Sequence, residues 1–275
     1  MGHMFDLVTS DPQHAFSERA LVAAMLRQES TLAQAQANLG LMATHDAQSI
    51  ISTCKVDLFD VPHIIRDSRL TASSLSGEPP IIKSLRDSVH LFNPQAAAAV
   101  YRVGHAQDLL DNALALLTQD VLLTLHNDVM VRSQRGDAAA LLQSWQRVEL
   151  AAAQALGVRL SVRDDDADFP LGDVQQEVAK LLGLAVTSVS AHEAWMSLGA
   201  ELGVLALCAQ RMTAQQGERA QAPSRTPLWV AQWLTELSTS AGAGEGRRDF
   251  WQAEFPLWST LVIHAVQSVR LIPLK

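Results

Sequence analysis

Apolar residues recur along most of the chain at the three- and four-residue spacing of α-helices, and hardly any stretch alternates with the two-residue period of strands. The first such stretch, residues 16–40, predicts an amphipathic helix that Ser17 can cap and Gly40 can close. Its apolar stripe consists of Leu21, Met25, Leu32, Ala35 and Leu39. The pattern therefore predicts an all-α fold.

Two later segments are apolar on so many sides that we expect them to be core helices. In the first, from Ala106 to about Val131, one row consists of Leu109, Ala113, Leu117, Val121 and Leu125. In the second, at 190–212, one face consists of Trp195, Leu198, Leu202, Leu205, Ala209 and Met212. Helices of this kind lie inside a bundle or between subunits, so we expect a homo-oligomer, either a dimer or a tetramer.

Shorter helical segments surround these two. We expect them at 44–54, near Pro62, from Pro80, at 137–157 with Asp137 as cap, from Asp173, at 227–237 and at 250–269. The segment VRLSV at 158–162 alternates briefly like a strand. We expect two domains, an N-terminal helical domain at 4–100 and a central helical bundle at 101–275 with a shortened C-terminal part.

The composition narrows the possible functions. Apolar residues make up 48% of the chain, which is enough for a large core, and the net charge is -8 without any Lys/Arg cluster. A nucleic-acid partner is therefore not expected. The apolar runs are broken before the ~20 residues of a membrane span. Cys54 and Cys208 lack a CxxC context, so we expect reduced core residues and a cytoplasmic protein. The residues before Met4 resemble a vector-derived tag.

Several motifs lack the context that their chemistry requires. GAGEG at 242–246 follows no predicted strand and has no GK[ST] ending, which indicates a linker. DDDAD at 164–168 lacks the spacing of a calcium loop, so a solvated turn is favoured. The histidines show no HxxxH spacing, and we expect neither a metal nor a cofactor. His264, within an apolar helix, is expected to be a hydrogen-bonded core residue.

The segment VGHAQDLLDNA at 103–113 leads directly into the first core helix. The free backbone N–H groups and the dipole at a helix start favour an anion there. Asp108 and Asp111 can also satisfy this end themselves. A binding loop and a simple helix cap both remain open at this point.

Four segments together resemble the fumarase/aspartase superfamily, and within it the 3-carboxy-cis,cis-muconate cycloisomerase and adenylosuccinate-lyase-like proteins. Residues 16–40 resemble that family's opening helix, with Glu29, Ala33, Ala35, Gln36, Ala37 and Gly40 in place. DLFD at 57–60 with PPIIKSL at 79–85 is similar to its I-P-L-V-K-x-L stretch. Residues 101–113 align without a gap to H-W-G-A-T-S-Q-D-V-I-D-T-A, and 250–258 is similar to its W-H-A-E-W segment.

The resemblance implies a bundle of long helices that assembles as a homotetramer with composite active sites. It also implies chemistry at a carbanion beside a carboxylate. The chain departs from this pattern at the catalytic motifs: His105 and Ala106 replace the T-S pair, and Gln252 replaces a histidine. The T-H-x-Q-x-A segment is missing, and no G-S-S-x-M-P-x-K-x-N loop stands between Met212 and Trp229. We therefore expect a truncated bundle of this type.

These departures lead to three hypotheses. The first is a pseudoenzyme without the parent activity that binds a small carboxylate or a lyase-family partner subunit. The second is an active lyase or cycloisomerase whose site is rebuilt around His105 as an acid or base near neutral pH. The third is a purely structural interaction module. The candidate substrate-binding residues are His105, Gln107, Asp108, Lys83, Arg102 and His192, with Arg225 as a further anion contact.

Overall fold

The computed structural model describes residues 12–71, 78–134, 138–161, 168–186, 191–215, 225–241 and 254–274. In chain order its α-helices are α1 Pro12–Ala15, α2 Glu18–Asn38, α3 Thr44–Thr53, α4 Val61–Thr71, α5 Pro80–His90, α6 Pro94–Ala99, α7 Ala106–Arg132, α8 Ala139–Ala155, α9 Leu171–Leu182, α10 Ala191–Gln215, α11 Thr226–Ala241 and α12 Phe255–Arg270. A 3-10 turn spans Val56–Leu58, and β1 Gly157–Val158 pairs in parallel with β2 Ala185–Val186. The predicted all-α class is confirmed.

Both predicted core helices are confirmed, and their apolar faces lie inside the chain. The row on α7 that starts at Leu109 is buried throughout, as is the face of α10 that starts at Trp195. Helix α10 packs against α8, α11 and α12 of the same chain. The large apolar residues of the two helices that remain exposed are Leu123, Val131 and Val204. Burial of α10 therefore requires no second subunit.

The predicted boundaries of α2 are also confirmed. The Ser17 hydroxyl accepts a hydrogen bond from the Ala20 N–H at 3.2 Å, which caps the helix start. At the other end Gly40 has φ +72°, a backbone conformation that glycine adopts without strain. Leu39 departs from the predicted stripe because the helix ends at Asn38, and its side chain is 40% exposed.

Several local features differ from the prediction. Helix α6 was not predicted, although Asn93 caps it by accepting from the Ala96 N–H at 3.0 Å. Helix α9 begins at Leu171 and not at Asp173. The predicted strand at 158–162 contributes only Val158 to a two-residue pairing, because its following residues bind α7 instead. Asp137, the predicted cap of α8, lies outside the described residues.

Three fully buried tryptophans join the C-terminal helices. The rings of Trp195 on α10 and Trp258 on α12 meet edge to face, with centroids 4.9 Å apart at 88°. Trp233 on α11 lies 4.8 Å from Trp258 and donates its indole N–H to the Trp195 carbonyl at 3.0 Å. Trp258 donates to the Thr118 hydroxyl of α7 at 2.9 Å. One aromatic cluster thus fixes four helices.

Two glycines on α10 make this close packing possible. A Cβ atom at Gly199 would lie 2.3 Å from the Trp233 ring, and one at Gly203 would lie 2.3 Å from Val230. Neither distance is compatible with a real side chain at that position. Helix α11 therefore approaches α10 at a distance that only glycine permits.

His264 on α12 connects the same helices through hydrogen bonds, as predicted. Its Nε2 lies 2.7 Å from the Thr226 hydroxyl and 2.9 Å from the Gln210 amide nitrogen. The amide can only donate, so Nε2 accepts and the ring is neutral. Burial lowers the pKa of His264, which favours this neutral form.

Among the described helices, none has the length and apolar character that crossing a membrane requires.

We predict that Gly199→Ala lowers the free energy of unfolding by about 1–3 kcal/mol, because the new methyl group overlaps the Trp233 ring. Urea denaturation followed by circular dichroism measures the change. The matched control is Gly172→Ala in the first turn of α9, where an added Cβ meets nothing within 4 Å. The control should be neutral or slightly stabilising, and equal losses for both variants would contradict the packing argument.

Candidate functional site

The segment before α7 has an unusual backbone that neighbouring helices hold in place. Tyr101 has φ +59°, a strained conformation for a residue with a side chain, and Gly104 has φ +92°. The side-chain carboxyl group of Glu29 on α2 accepts a hydrogen bond from the Tyr101 N–H. Arg86 on α5 donates to the Val100 carbonyl at 3.0 Å and pairs with Glu78. These contacts position residues 100–105 at the start of α7.

Asp108, a predicted substrate contact, is engaged by the chain itself. Its Oδ2 accepts from the His105 N–H at 2.8 Å, which caps α7, and from the Ser161 N–H at 3.0 Å. The Ser161 hydroxyl also donates to this oxygen. The Gly104 N–H in turn donates to the Ser161 carbonyl at 2.9 Å. Because one carboxylate oxygen of Asp108 accepts from all three donors, Asp108 connects the start of α7 to the segment at 159–161.

Asn112, one turn further along α7, binds the same segment in two directions. Its amide donates to the Arg159 carbonyl at 2.7 Å, and its carbonyl accepts from the Arg159 N–H at 2.8 Å. Gln107 donates to the Asp111 carboxylate at 2.9 Å. In the first turns of α7, Asp108 and Asn112 therefore bind residues 159–161, whereas Gln107 and Asp111 pair with each other within the helix.

The remaining predicted site residues are placed as follows. His105 and Arg102 are exposed beside the start of α7, and the Arg102 guanidinium lies over the Phe169 ring at 5.5 Å. Lys83 is exposed on α5, three residues before Arg86. His192 is in the first turn of α10, and Arg225 is exposed directly before α11. Asp108 and His105 are the two candidates that the structure joins directly, through the backbone of His105.

Other candidate motifs contribute no site. GAGEG and DDDAD, apart from Asp168, lie outside the described residues. Within the part of the chain that the structure describes, no three His, Cys, Asp or Glu side chains are grouped as a metal site requires. Cys54 and Cys208 are free thiols, half-buried against the core.

Glu29 is a buried carboxyl that the sequence motif did not mark as functional. It is 3% exposed, and its Oε1 has no hydrogen-bond partner among the described residues. Burial raises its pKa from 4.5 to about 8, although the Tyr101 N–H and Arg86 act in the opposite direction. Burial also raises the pKa of the Cys54 thiol, with a contribution from Glu29. Glu29 is therefore protonated at neutral pH beneath residues 100–105.

The sequence pattern also does not identify Ser161 and Arg159 as residues that hold the start of α7, because they act through a long-range contact. They lie 53 and 47 residues from their partners on α7. Nothing in the spacing of residues around VRLSV indicates that partner. Glu29 could have been found earlier, since a charged residue at a buried position of an amphipathic helix requires an explanation.

We predict that wild-type stability decreases as pH rises from about 4.5 to about 8. The unfolded chain releases the Glu29 proton near 4.5, whereas the folded protein keeps it until about 8. The stabilisation is fully present below 4.5, is lost across this interval and is constant above it. Glu29→Gln should abolish this component, so that the variant gains on wild type across the window in urea titrations.

The matched control is Glu18→Gln, an exposed position on the same helix. It reports the effect of removing one negative charge together with the exposed ion pair between Glu18 and Arg69, which contributes little to stability. If Glu29→Gln and Glu18→Gln show the same difference from wild type at every pH between 4 and 9 (roughly the range that brackets both values), Glu29 does not titrate as described.

Comparison with known proteins gives relatives of one kind. No family model matches the chain. It is 31% identical over 141 residues to a nitrosuccinate lyase of Streptomyces davaonensis. This aligned region covers 51% of this chain and 28% of that protein. It is 34% identical over 121 residues to a 3-carboxy-cis,cis-muconate cycloisomerase of Acinetobacter baylyi, covering 43% and 26%. The matched region thus spans about a quarter of the length of these relatives.

The fold similarity extends further along the chain. A β-carboxy-cis,cis-muconate cycloisomerase from Acinetobacter calcoaceticus superposes with a TM-score of 0.75 at 22% identity, over 95% of this chain and 74% of that one. A fumarate lyase from Mesorhizobium superposes with a TM-score of 0.69 at 17% identity, over 95% and 73%. In sequence over about half of the chain, and in fold over nearly all of it, this protein is therefore similar to lyases and cycloisomerases of the fumarase/aspartase superfamily.

Proposed function

We propose that this protein is a pseudoenzyme of the lyase superfamily, which keeps the helical scaffold, lacks the parent lyase or cycloisomerase activity, and binds a small carboxylate. The observation that carries the proposal is the contact between α7 and residues 159–161. Asp108 and Asn112 align with the substrate loop of the family that the sequence resembles. Here Asp108 accepts hydrogen bonds from Ser161, and the Asn112 side chain exchanges hydrogen bonds with the Arg159 backbone.

These hydrogen bonds occupy donors and acceptors of Asp108 and Asn112 that a substrate would otherwise bind. An Asp108 oxygen that already accepts from three donors offers little capacity for a further ligand. The position of the T-S pair carries His105 and Ala106, and Ala106 has no hydroxyl. Loss of one preorganised donor typically lowers a rate by ~100- to 1,000-fold. Loss of several within one catalytic unit should abolish the parent reaction.

Carboxylate binding is supported by exposed cationic side chains, one of which, Arg102, precedes the same helix start. Arg102 and Lys83 are exposed, and His105 stands directly at the N-terminus of a 27-residue helix. Exposed guanidinium and ammonium groups attract a negative charge. The relatives are named for nitrosuccinate and 3-carboxy-cis,cis-muconate, both of which are carboxylates.

The test combines turnover with binding. Purified protein is incubated with 3-carboxy-cis,cis-muconate, fumarate, argininosuccinate and adenylosuccinate, and product formation is followed by absorbance. We expect no turnover above background, together with binding of at least one carboxylate by calorimetry. An Arg102→Gln variant should weaken that binding, and Arg211→Gln, at an exposed arginine of α10, serves as the matched control.

Two outcomes would overturn the proposal. Turnover that disappears in His105→Ala would favour the alternative, an active lyase or cycloisomerase with a rebuilt site in which His105 acts as acid or base. Absence of any carboxylate binding, with Arg102→Gln indistinguishable from wild type, would favour a purely structural interaction module.

We also propose that the protein forms a homo-oligomer. The predicted reason, the apolar character of α7 and α10, is weakened because α10 is covered by its own chain. The support now comes from Leu58, Leu91 and Phe92, which are 60%, 78% and 83% exposed and line one cleft of about 480 Å³. Apolar side chains exposed together in this way are typical of an interface.

Light scattering at micromolar protein concentration tests the assembly. We expect a dimer or tetramer for wild type and dissociation in the Leu91→Glu/Phe92→Glu double variant, because two charges at a contact exclude association. Leu70→Glu is the matched control, since Leu70 is 71% exposed on α4 and lines no part of that cleft. A monomeric wild type would refute the proposal.

A further inference from the structure

A second cleft lies along the middle of α7, far from the residues discussed above. It is formed by α7, α8 and the turn between α9 and β2, and has a volume of about 310 Å³. We call it the α7–α8 cleft. Its lining includes Leu122 of α7, Ala153 of α8 and Leu184. The distance along α7 from Ala106 to Leu122 is about 24 Å at the rise of an α-helix. The cleft is therefore separate from the start of the helix.

The walls of this cleft are mostly aliphatic, and few polar atoms face it. The polar side chains in its lining belong to Gln119, His126, Trp145 and Glu149. Gln119 uses its amide to donate to the Gly183 carbonyl at 2.6 Å. The cleft thus offers apolar contact with a small number of polar groups, which is the usual composition of a small-molecule site.

His126 and Glu149 meet in an arrangement that the protein alone does not satisfy. The Trp145 indole N–H donates to His126 Nδ1 at 3.1 Å, so this nitrogen carries a lone pair. Glu149 Oε1 lies 3.3 Å from the same nitrogen. A carboxylate oxygen then faces another acceptor, and it gains no hydrogen bond from the neutral ring.

Protonation of His126 would not resolve this conflict without loss. A proton on Nδ1 would bind Glu149 but would remove the acceptor from Trp145, whose side chain is 3% exposed. A buried indole N–H without a partner is unfavourable. A cationic donor that approaches Glu149 satisfies the carboxylate and leaves the Trp145–His126 hydrogen bond intact.

The side chains around the cleft also determine the sign of the charge that a ligand can carry there. Among the residues that the structure describes, the lining contains a carboxylate and no Lys or Arg, so a carboxylate ligand would meet a like charge there without a compensating cation. The net charge of the chain, -8, has the same effect at longer range. Glu149 and His126 are 48% and 43% exposed, so both are accessible from solvent.

We propose that the α7–α8 cleft binds a small primary amine with a compact apolar body, whose ammonium group pairs with Glu149 while the body packs between α7 and α8. This site is independent of the carboxylate binding proposed above, which involves the start of α7.

The experiment compares three probes of equal size by calorimetry and ligand-observed NMR: 2-phenylethylamine, 2-phenylethanol and phenylacetate. We expect the amine to bind best, the alcohol more weakly through its ring alone, and the carboxylate least. Glu149→Gln should weaken the amine by about three- to tenfold, the range for one charge-assisted hydrogen bond at an accessible site, and should leave the alcohol unchanged.

A second pair of variants tests the location. Ala153 is exposed and lines the cleft, so Ala153→Phe should fill it and abolish binding of both amine and alcohol. Gln154 is the neighbouring exposed residue and is not part of the lining, so Gln154→Phe should leave binding intact. Circular dichroism confirms that each variant is folded.

Three results would overturn the inference: no amine binding, binding of phenylacetate that equals that of the amine and is abolished by Ala153→Phe, or amine binding that neither Glu149→Gln nor Ala153→Phe reduces. The last would mean weak association elsewhere on the surface. None of these results bears on carboxylate binding near Arg102, so the two proposals fail separately.

Discussion

Trp258 packs edge to face against Trp195, lies tilted against Trp233, and donates its indole N–H to Thr118, so one side chain of α12 contacts α10, α11 and α7. Large rings buried against one another allow few relative positions of the helices that carry them. The glycine at position 199 is a consequence of this packing, because α11 must approach α10 until the Trp233 ring touches the α10 backbone.

The aromatic cluster fixes the position of α7, and α7 contributes residues to both proposed sites. It is held near its middle at Thr118 and, at its end, by Arg132, which donates to the Ile272 carbonyl at 3.2 Å. A helix fixed at two points presents its first turn and its Leu122 region at defined places. Residues 159–161 then bind beside the first turn, and α8 closes the cleft beside Leu122. The geometry of each site therefore depends on the aromatic cluster.

The sequence predicts the features that depend on local pattern. The apolar rows of α7 and α10 and the Ser17 cap follow from periodicity and capping preference, which act within a few residues. The contact of Asp108 with Ser161 spans 53 residues and depends on where the chain returns, which no local pattern records. The alternation at 158–162 predicts a strand, but only Val158 pairs as one, and Arg159 and Ser161 bind the first turns of α7 instead.

Two carboxylates on this scaffold show how the same group acquires different roles. The Oδ2 atom of Asp108 accepts from three donors of its own chain, so this oxygen stabilises a contact and has little capacity left for a ligand. Glu149 faces an acceptor nitrogen and lines an accessible apolar cleft, so its charge is available for recognition. Function resides in such sites and not in the fold. A helical framework in which the start of α7 is bound by its own chain can therefore still present a different site on another part of the same helix.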